Sequence, residues 1–147
     1  MKKFLSILLL ILPLHFTCHG QVSEQREKLF RDCLSTTGSD VKYLKDFRIQ
    51  LGEANPGDDF RYKEKMSLWK NNRYRFILCT AENSRGKLIF NLRDEFNNEV
   101  LSSIDKNSGM IYPYVDFTCN KSGVYEFEFD FTGGQSGSGL SIISMIE

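Results

Sequence analysis

The stretch VYEFEFDF, residues 124–131, alternates apolar and acidic side chains with a period of two. Successive side chains of a β-strand point to opposite faces of the sheet, so this pattern predicts a strand with one buried and one solvated face. Such one-sided burial is typical of antiparallel strands in a sandwich or a barrel. Four aromatic residues form the predicted buried set: Tyr125, Phe127, Phe129 and Phe131. Three acidic residues form the set predicted to face water: Glu126, Glu128 and Asp130.

Seven further runs carry a strand pattern. They are residues 47–51, 62–68, 73–79, 87–94, 99–104, 111–119 and 140–146. Polar, turn-forming clusters separate many of these runs, as at 70–72, 97–98 and 120–123. Eight short strands at this spacing predict a mainly β, antiparallel two-sheet sandwich of the jelly-roll type. We expect this domain to occupy residues 41–147.

A different periodicity precedes the strands, in residues 22–38. Apolar side chains recur there at helical spacing, at Val22, Leu29, Phe30, Cys33 and Leu34. The pattern predicts one short helix within an N-terminal segment of helix and connector, residues 21–40. Its apolar stripe needs a surface to pack against, and we expect an outer face or the rim of the sandwich, with Ile77 as a candidate contact.

Residues 1–20 have the three-part pattern of a secretory signal peptide. Lys2 and Lys3 are followed by an apolar run of about 11 residues, then by small residues up to Gly20. The run is shorter than the roughly 20 residues that span a bilayer as a helix. We therefore predict cleavage after Gly20 and an exported protein, periplasmic or extracellular, with no stable membrane span. Lipidation at Cys18 is the alternative, although the residues before it fit the usual consensus poorly.

Charge and histidine content narrow the function. Of 19 basic and 19 acidic residues, Lys2 and Lys3 leave with the signal, so the mature chain is nearly neutral and we expect no nucleic-acid partner. Both histidines, His15 and His19, precede the predicted cleavage site. Histidine is the usual base for a serine or cysteine nucleophile and the commonest zinc ligand. We therefore expect a protein that is not an enzyme, with carboxylate-pair chemistry left open.

Two further motifs suggest chemistry. Glycoside hydrolysis needs two carboxyl groups roughly 5–9 Å apart, and Glu126 and Glu128 on one strand face satisfy that spacing. Their position opposite the aromatic set predicts ordinary solvent exposure instead. The glycine-rich run 133–139 could suggest a phosphate-binding loop, but a strand pattern follows it, where such a loop needs a helix. We predict a hairpin loop there.

A basic and aromatic hairpin offers a possible binding surface at Tyr62, Trp69, Arg73 and Arg75. Interleaved residues of these types can hold an anionic or stacking partner. The alternative, which we favour for most of the hairpin, is a solvated face whose aromatic rings point into the core. Trp69 is the exception, because it lies beside the turn.

An acidic loop precedes that hairpin. Glu53, Asp58 and Asp59 could bind calcium weakly, since calcium prefers carboxylate oxygens. The spacing is not that of an EF-hand, so a plain acidic turn is the preferred interpretation. No other cofactor is expected.

The strand patterns resemble a known type of module. An aromatic strand (74–76), a strand ending in Leu-Arg-Asp (92–94) and a Ser-Gly-Val-Tyr strand (122–125) are similar to those of bacterial pre-peptidase C-terminal modules and of GOLD domains, over about residues 45–146. The resemblance implies an accessory, non-catalytic module. Our leading hypothesis is an exported module for protein binding or envelope assembly, whose partner is a protein or polysaccharide of the cell envelope. A carbohydrate-binding or carbohydrate-active module is the alternative.

Three cysteines remain after signal removal: Cys33, Cys79 and Cys119. An exported chain meets an oxidising environment, so we expect one disulfide and one free thiol. In a jelly roll, Cys79 and Cys119 end strands that run in opposite directions in one sheet, which separates them by roughly 16 Å. We predict the Cys33–Cys119 bridge with Cys79 free. The second choice is Cys33–Cys79, which requires the helix to lie back across the sheet over Ile77.

Overall fold

The computed structural model describes residues 19–147, with side chains from Gln21 onward. Almost all of the predicted signal peptide lies outside the described residues. The elements follow the chain as α1 His19–Ser35, β1 Val41–Leu51, β2 Tyr62–Leu68, β3 Arg73–Thr80, β4 Leu88–Arg93, β5 Glu99–Ser102, β6 Tyr114–Thr118, β7 Gly123–Phe131 and β8 Gly137–Ile146. Within residues 19–147, no helix is both long and apolar enough to cross a membrane.

The eight strands form two four-stranded sheets. The first sheet has the order β1-β8-β3-β6 and the second has the order β2-β7-β4-β5, with every neighbouring pair antiparallel. This interleaved order is that of a jelly roll, and the predicted two-sheet sandwich is confirmed.

The core lies between the two sheets and is dominated by aromatic rings. As predicted, the alternating aromatic residues of β7 are buried. Phe127 packs against Phe47 and Phe76 of the first sheet, each with ring centroids 5.6 Å apart. Phe90 of β4 lies 5.1 Å from Phe129. Period-two alternation predicts the buried face correctly here because each aromatic side chain of β7 faces the opposing sheet.

The acidic face of β7 differs from the prediction. Glu128 and Asp130 were expected to face water, yet Glu128 is 1% exposed and Asp130 is also buried. Alternation places both side chains on the outer face of the second sheet, but β7 is a central strand. Long cationic side chains from the flanking strands β2 and β4 fold over Glu128 and exclude solvent from it.

The connections separate into two ends of the sandwich. The short turns β2–β3, β4–β5 and β6–β7 lie at one end, which we call the turn end, and the connections β1–β2, β3–β4, β5–β6 and β7–β8 lie at the other. The glycine-rich run 133–139 begins in a short 3₁₀ turn, Thr132–Gly134, and its last three residues belong to β8, so a strand follows it as expected. The predicted hairpin is wrong, because β7 and β8 lie in different sheets and the connection crosses from one sheet to the other. Gly133 and Gly134 both have positive φ, which glycine adopts readily.

Helix α1 lies across the outer face of the first sheet, where the apolar residues Ile77, Leu140 and Ile142 pack beneath it. Both the helix and its predicted contact with Ile77 are confirmed.

The predicted Cys33–Cys119 pairing is wrong: the disulfide joins Cys33 to Cys79, with the Cα atoms 5.8 Å apart, and Cys119 is a buried free thiol. The prediction placed Cys33 at the starting end of β1. The chain instead turns at Gly38 (φ +89°) between α1 and β1, and α1 lies with Cys33 beside Cys79 at the end of β3.

Candidate functional site

Three turns meet at the turn end, and hydrogen bonds join two of them directly. The amide of Asn71 donates to the carbonyl of Cys119 (2.8 Å), and the amide of Cys119 donates to the carbonyl of Asn72 (2.9 Å). The amide of Lys70 donates to the Ser122 hydroxyl (2.7 Å). These hydrogen bonds hold the β2–β3 and β6–β7 turns together along one side of the turn end.

A surface depression lies between the β6–β7 turn and the β4–β5 turn. Two adjoining hollows of about 300 and 280 Å³ share Asp94, Glu95 and Val124 in their lining. The larger hollow also contacts Phe96, Val100 and Lys121. We call these six residues and the space between them the end cleft.

The end cleft exposes apolar side chains. Phe96 is 70% exposed, and Val100 and Val124 are exposed as well. Trp69, on the neighbouring β2–β3 turn, is 63% exposed. Clustered exposed apolar residues on a soluble domain mark interaction sites more often than isolated ones do. The turn end is therefore the strongest candidate for a binding surface among the described residues.

The polar groups around the end cleft are already engaged within the protein. The Asp94 carboxylate accepts hydrogen bonds from the backbone amides of Phe96 and Asn98 and from the Asn98 side chain. These bonds, chiefly those from Asn98, lower the pKa of Asp94. Lys121 forms an ion pair with Glu95 and also lies 4.9 Å from the centre of the Phe96 ring.

Tyr125, which also lines the larger hollow, has its polar group bonded within the protein as well. The hydroxyl of Tyr125 donates to the carbonyl of Lys121 (2.7 Å). Burial, followed by the hydrogen bond with Cys119, raises the pKa of Tyr125 to about 12. Tyr125 therefore stays a neutral donor at physiological pH. Apolar surface is what the end cleft offers to a partner.

The four residues predicted as one binding surface do not share one. Trp69 and Tyr62 lie at opposite ends of β2, and the ring of Tyr62 packs against the buried Phe129, with centroids 6.0 Å apart. Arg73 and Arg75 belong to β3, in the other sheet. Of the four, only Trp69 presents a large exposed apolar side chain.

Arg75 has a structural partner on the first sheet. Its guanidinium donates to both carboxylate oxygens of Asp116, at 2.7 and 2.9 Å, and lies 4.9 Å from the centre of the Tyr114 ring. The hydrogen bonds from Arg75 lower the pKa of Asp116. This bidentate pair ties β3 to the edge strand β6 and leaves little of Arg75 available to a ligand.

Two of the three predicted calcium residues, Glu53 and Asp58, are engaged in separate contacts, and the third, Asp59, is exposed. Glu53 accepts hydrogen bonds from Arg85 (2.8 Å) and from Ser136 (3.2 Å). Asp58 accepts one from the amide of Asn55 (2.8 Å). No group of three or more His, Cys, Asp or Glu side chains within residues 21–147 is placed to hold a metal ion. Calcium binding at this loop stays a prediction.

The candidate carboxylate pair is held by cations. Glu128 accepts from Lys63 (2.7 Å) and from Arg93 (2.9 Å), and Glu126 pairs with Lys65 (3.7 Å). A carboxylate that is 1% exposed and bound by two cations is closed to a substrate in this conformation. The arrangement is that of a structural ion-pair cluster on the outer face of the second sheet.

Sequence reasoning missed Phe96, Val100, Val124 and Lys121. The sequence does contain a pattern that indicates the exposure of two of these residues, Phe96 and Val124. Phe96 stands in the polar turn DEFNNE, where a tight connection leaves no interior for a large ring. Val124 shares the outward phase of Glu126 and Glu128, so alternation alone places it on the outer face.

Comparison with protein-family models found no matching family, and comparison with curated proteins found no significant match. The resemblance to pre-peptidase C-terminal and GOLD modules therefore stays a prediction.

Proposed function

We propose that this chain is an exported, non-enzymatic binding module and that the end cleft is where a protein partner docks. One observation carries the proposal: the end cleft exposes Phe96, Val100 and Val124 while its polar groups are bonded within the protein. A partner would gain mainly by covering apolar surface, at about 25 cal/mol per Å². An exposed aromatic ring beside a rigid hollow is also a common anchor in protein interfaces.

The same observation disfavours a sugar ligand at the end cleft. Hydroxyl-rich ligands need convergent hydrogen-bonding groups that are free to bind them. Asp94, Glu95 and Lys121 are already paired. Trp69 is the specific feature that supports the carbohydrate alternative, because its exposed ring could stack on a sugar.

Export and a non-catalytic role rest on further features. The pattern of residues 1–20 is that of a signal peptide, and a disulfide joins Cys33 to Cys79. Disulfides persist mainly in oxidising compartments, so the bridge supports a periplasmic or extracellular location. The absence of histidine after Gly20 supports a role in binding, as does the resemblance to accessory modules.

Photo-crosslinking tests the docking site. A photoreactive phenylalanine analogue at Phe96 should capture a defined polypeptide in cells that export the protein. The same analogue at Met110 is the matched control, because Met110 is also exposed but lies at the opposite end of the sandwich. Val124→Ser should reduce capture at Phe96 without lowering the melting temperature.

Equal capture at both positions, or none at Phe96, would contradict the proposal. A glycan array on the mature protein addresses the alternative. Binding to a glycan that is lost in Trp69→Ala would establish carbohydrate recognition. It would also identify Trp69, and not Phe96, as the residue at the binding site.

A further inference from the structure

Helix α1 covers an apolar area that is separate from the main core. Ile77, Leu140 and Ile142 point outward from the first sheet, yet each is buried beneath the helix. The main core lies on the opposite face of the same sheet, between the two sheets. Removing the helix would therefore expose these three residues and leave the interior of the sandwich filled.

The helix itself is weakly packed. Of its residues with described side chains, 21–35, only Cys33 is buried, while Leu29 and Phe30 are half-buried. Its polar ties to the sandwich include a long hydrogen bond from Arg26 to Gln50 (3.4 Å) and an exposed ion pair of Lys28 with Glu82 (4.0 Å). Contacts of this kind contribute little. The one buried residue of the helix is thus also its covalent anchor.

The anchor is open to attack. A groove of about 650 Å³ runs between α1 and the β3–β4 connection, and both cysteines line it. Cys79 is half-buried, whereas Cys33 is 1% exposed. An incoming thiolate therefore reaches the sulfur of Cys79 more readily than that of Cys33.

We propose that Cys79 is a thiol-exchange site and that the Cys33–Cys79 disulfide is a reversible latch for helix α1. The thiolate of a dithiol reductant attacks Cys79 Sγ, the bond to Cys33 Sγ breaks, and Cys33 leaves with the electron pair as a thiolate that takes a proton from water. The second thiolate of the reductant then attacks the mixed disulfide. Cys79 is released as a thiol and the reductant becomes a disulfide.

Once unlatched, the helix leaves the sheet. An isolated helix of 17 residues is marginal in water, and most of the helical stability in proteins comes from tertiary packing. The apolar face formed by Ile77, Leu140 and Ile142 then becomes accessible. The reductant and the redox state of the compartment thus set whether this face is covered.

Hydrogen exchange on the folded, oxidised protein tests the latch. Adding dithiothreitol without denaturant should speed exchange at the amides of residues 24–35 by at least about tenfold, while the amides of β7 keep their protection. The double variant Cys33→Ser, Cys79→Ser should show the reduced pattern with no reductant, and Cys119→Ala should behave as wild type. Helix amides that stay protected after reduction, or β7 amides that lose protection together with them, would overturn the proposal.

A trapping experiment identifies the attacked sulfur. Native protein is treated briefly with glutathione and then with iodoacetamide, before digestion with trypsin. We expect glutathione on the peptide 76–85 and the alkyl group on the peptide 32–42. Glutathione on 32–42, or no reaction unless denaturant is added, would show that the groove does not give access to Cys79.

Discussion

Replacing Glu128 with alanine tests the ion-pair cluster on the outer face of the second sheet. The substitution removes a carboxylate that is 1% exposed and that accepts from Lys63 at 2.7 Å and from Arg93 at 2.9 Å. Each hydrogen bond to a charged group contributes about 1.5–3 kcal/mol, and breaking a fully buried ion pair costs about 3–5 kcal/mol. The effect here should be smaller than the sum of these terms.

The loss in free energy of unfolding is reduced because the two cationic partners of Glu128 are partly exposed. The side chains of Lys63 and Arg93 are 45% and 23% exposed, so both cations regain part of their hydration when Glu128 is removed. We therefore expect a loss of about 2 kcal/mol in the free energy of unfolding, measured by urea titration at neutral pH, and a melting temperature lower by roughly 6–12 °C. Glu128→Gln, which keeps the shape and one acceptor oxygen, should lie between alanine and wild type.

Glu126→Ala is the matched control on the same face of the same strand. Glu126 is more exposed and pairs loosely with Lys65 at 3.7 Å, so its loss should stay within about 0.5 kcal/mol. If the two alanine variants have equal free energies of unfolding, burial of Glu128 contributes nothing and the reasoning is refuted.

Three other outcomes are expected. Phe127→Ala should cost about 3–5 kcal/mol in urea unfolding, because it removes a ring buried between both sheets; a loss below that of Glu126→Ala would contradict the core assignment. Arg75 lowers the pKa of Asp116, so the stability that Asp116 contributes is present above about pH 4 and is lost as pH falls through its lower folded-state pKa. Unfolding of Asp116→Asn and wild type at a series of pH values should converge in acid, and a constant difference would argue against the pair. Mass spectrometry of the exported protein should give Gln21 as the first residue, whereas a start at Cys18 with added acyl mass would show a lipoprotein.

The sandwich could be predicted because its signal is local and repeated. Each strand carries its own alternation, as in Tyr74 and Phe76 of β3 or Phe127 and Phe129 of β7, and each turn carries its own polar cluster. Eight agreeing local signals left few ways to arrange the sheets. Even the placement of β3 and β6 in one sheet, running in opposite directions, followed from the jelly-roll topology.

Two of the predictions that were wrong are the solvent exposure of Glu128 and the disulfide partner of Cys33. Both properties depend on the positions of segments that are distant in the sequence. Alternation placed Glu128 on the correct face of its strand, but its burial depends on Lys63 and Arg93 from two other strands. The pairing of Cys33 depended on the direction of a helix that the connector sets, through the turn at Gly38. No periodicity within a segment contains that information.

The candidate site was predicted only in part. Trp69 was singled out correctly as an aromatic beside a turn that should resist burial. Phe96 satisfies the same criterion, but it lies in an acidic turn, whereas the predicted binding surface rested on basic residues interleaved with aromatic ones. That Phe96 and Val124 line one cleft follows from the way the jelly roll brings the β4–β5 and β6–β7 turns to the same end, which no local pattern reveals.

The buried thiol of Cys119 bears on how the chain reaches its oxidised state. The three described cysteines allow three single bridges. Because Arg73 pairs with Thr118, Cys119 lies opposite Asn72, about seven residues, or roughly 23 Å, along the sheet from Cys79. A bridge from Cys119 to Cys79 or to Cys33 would thus prevent the sandwich from closing. Any such bridge made early must be reopened, whereas closure of the sandwich buries Cys119 and removes it from the competition. Folding of the sandwich therefore selects the Cys33–Cys79 disulfide over the two alternative pairings.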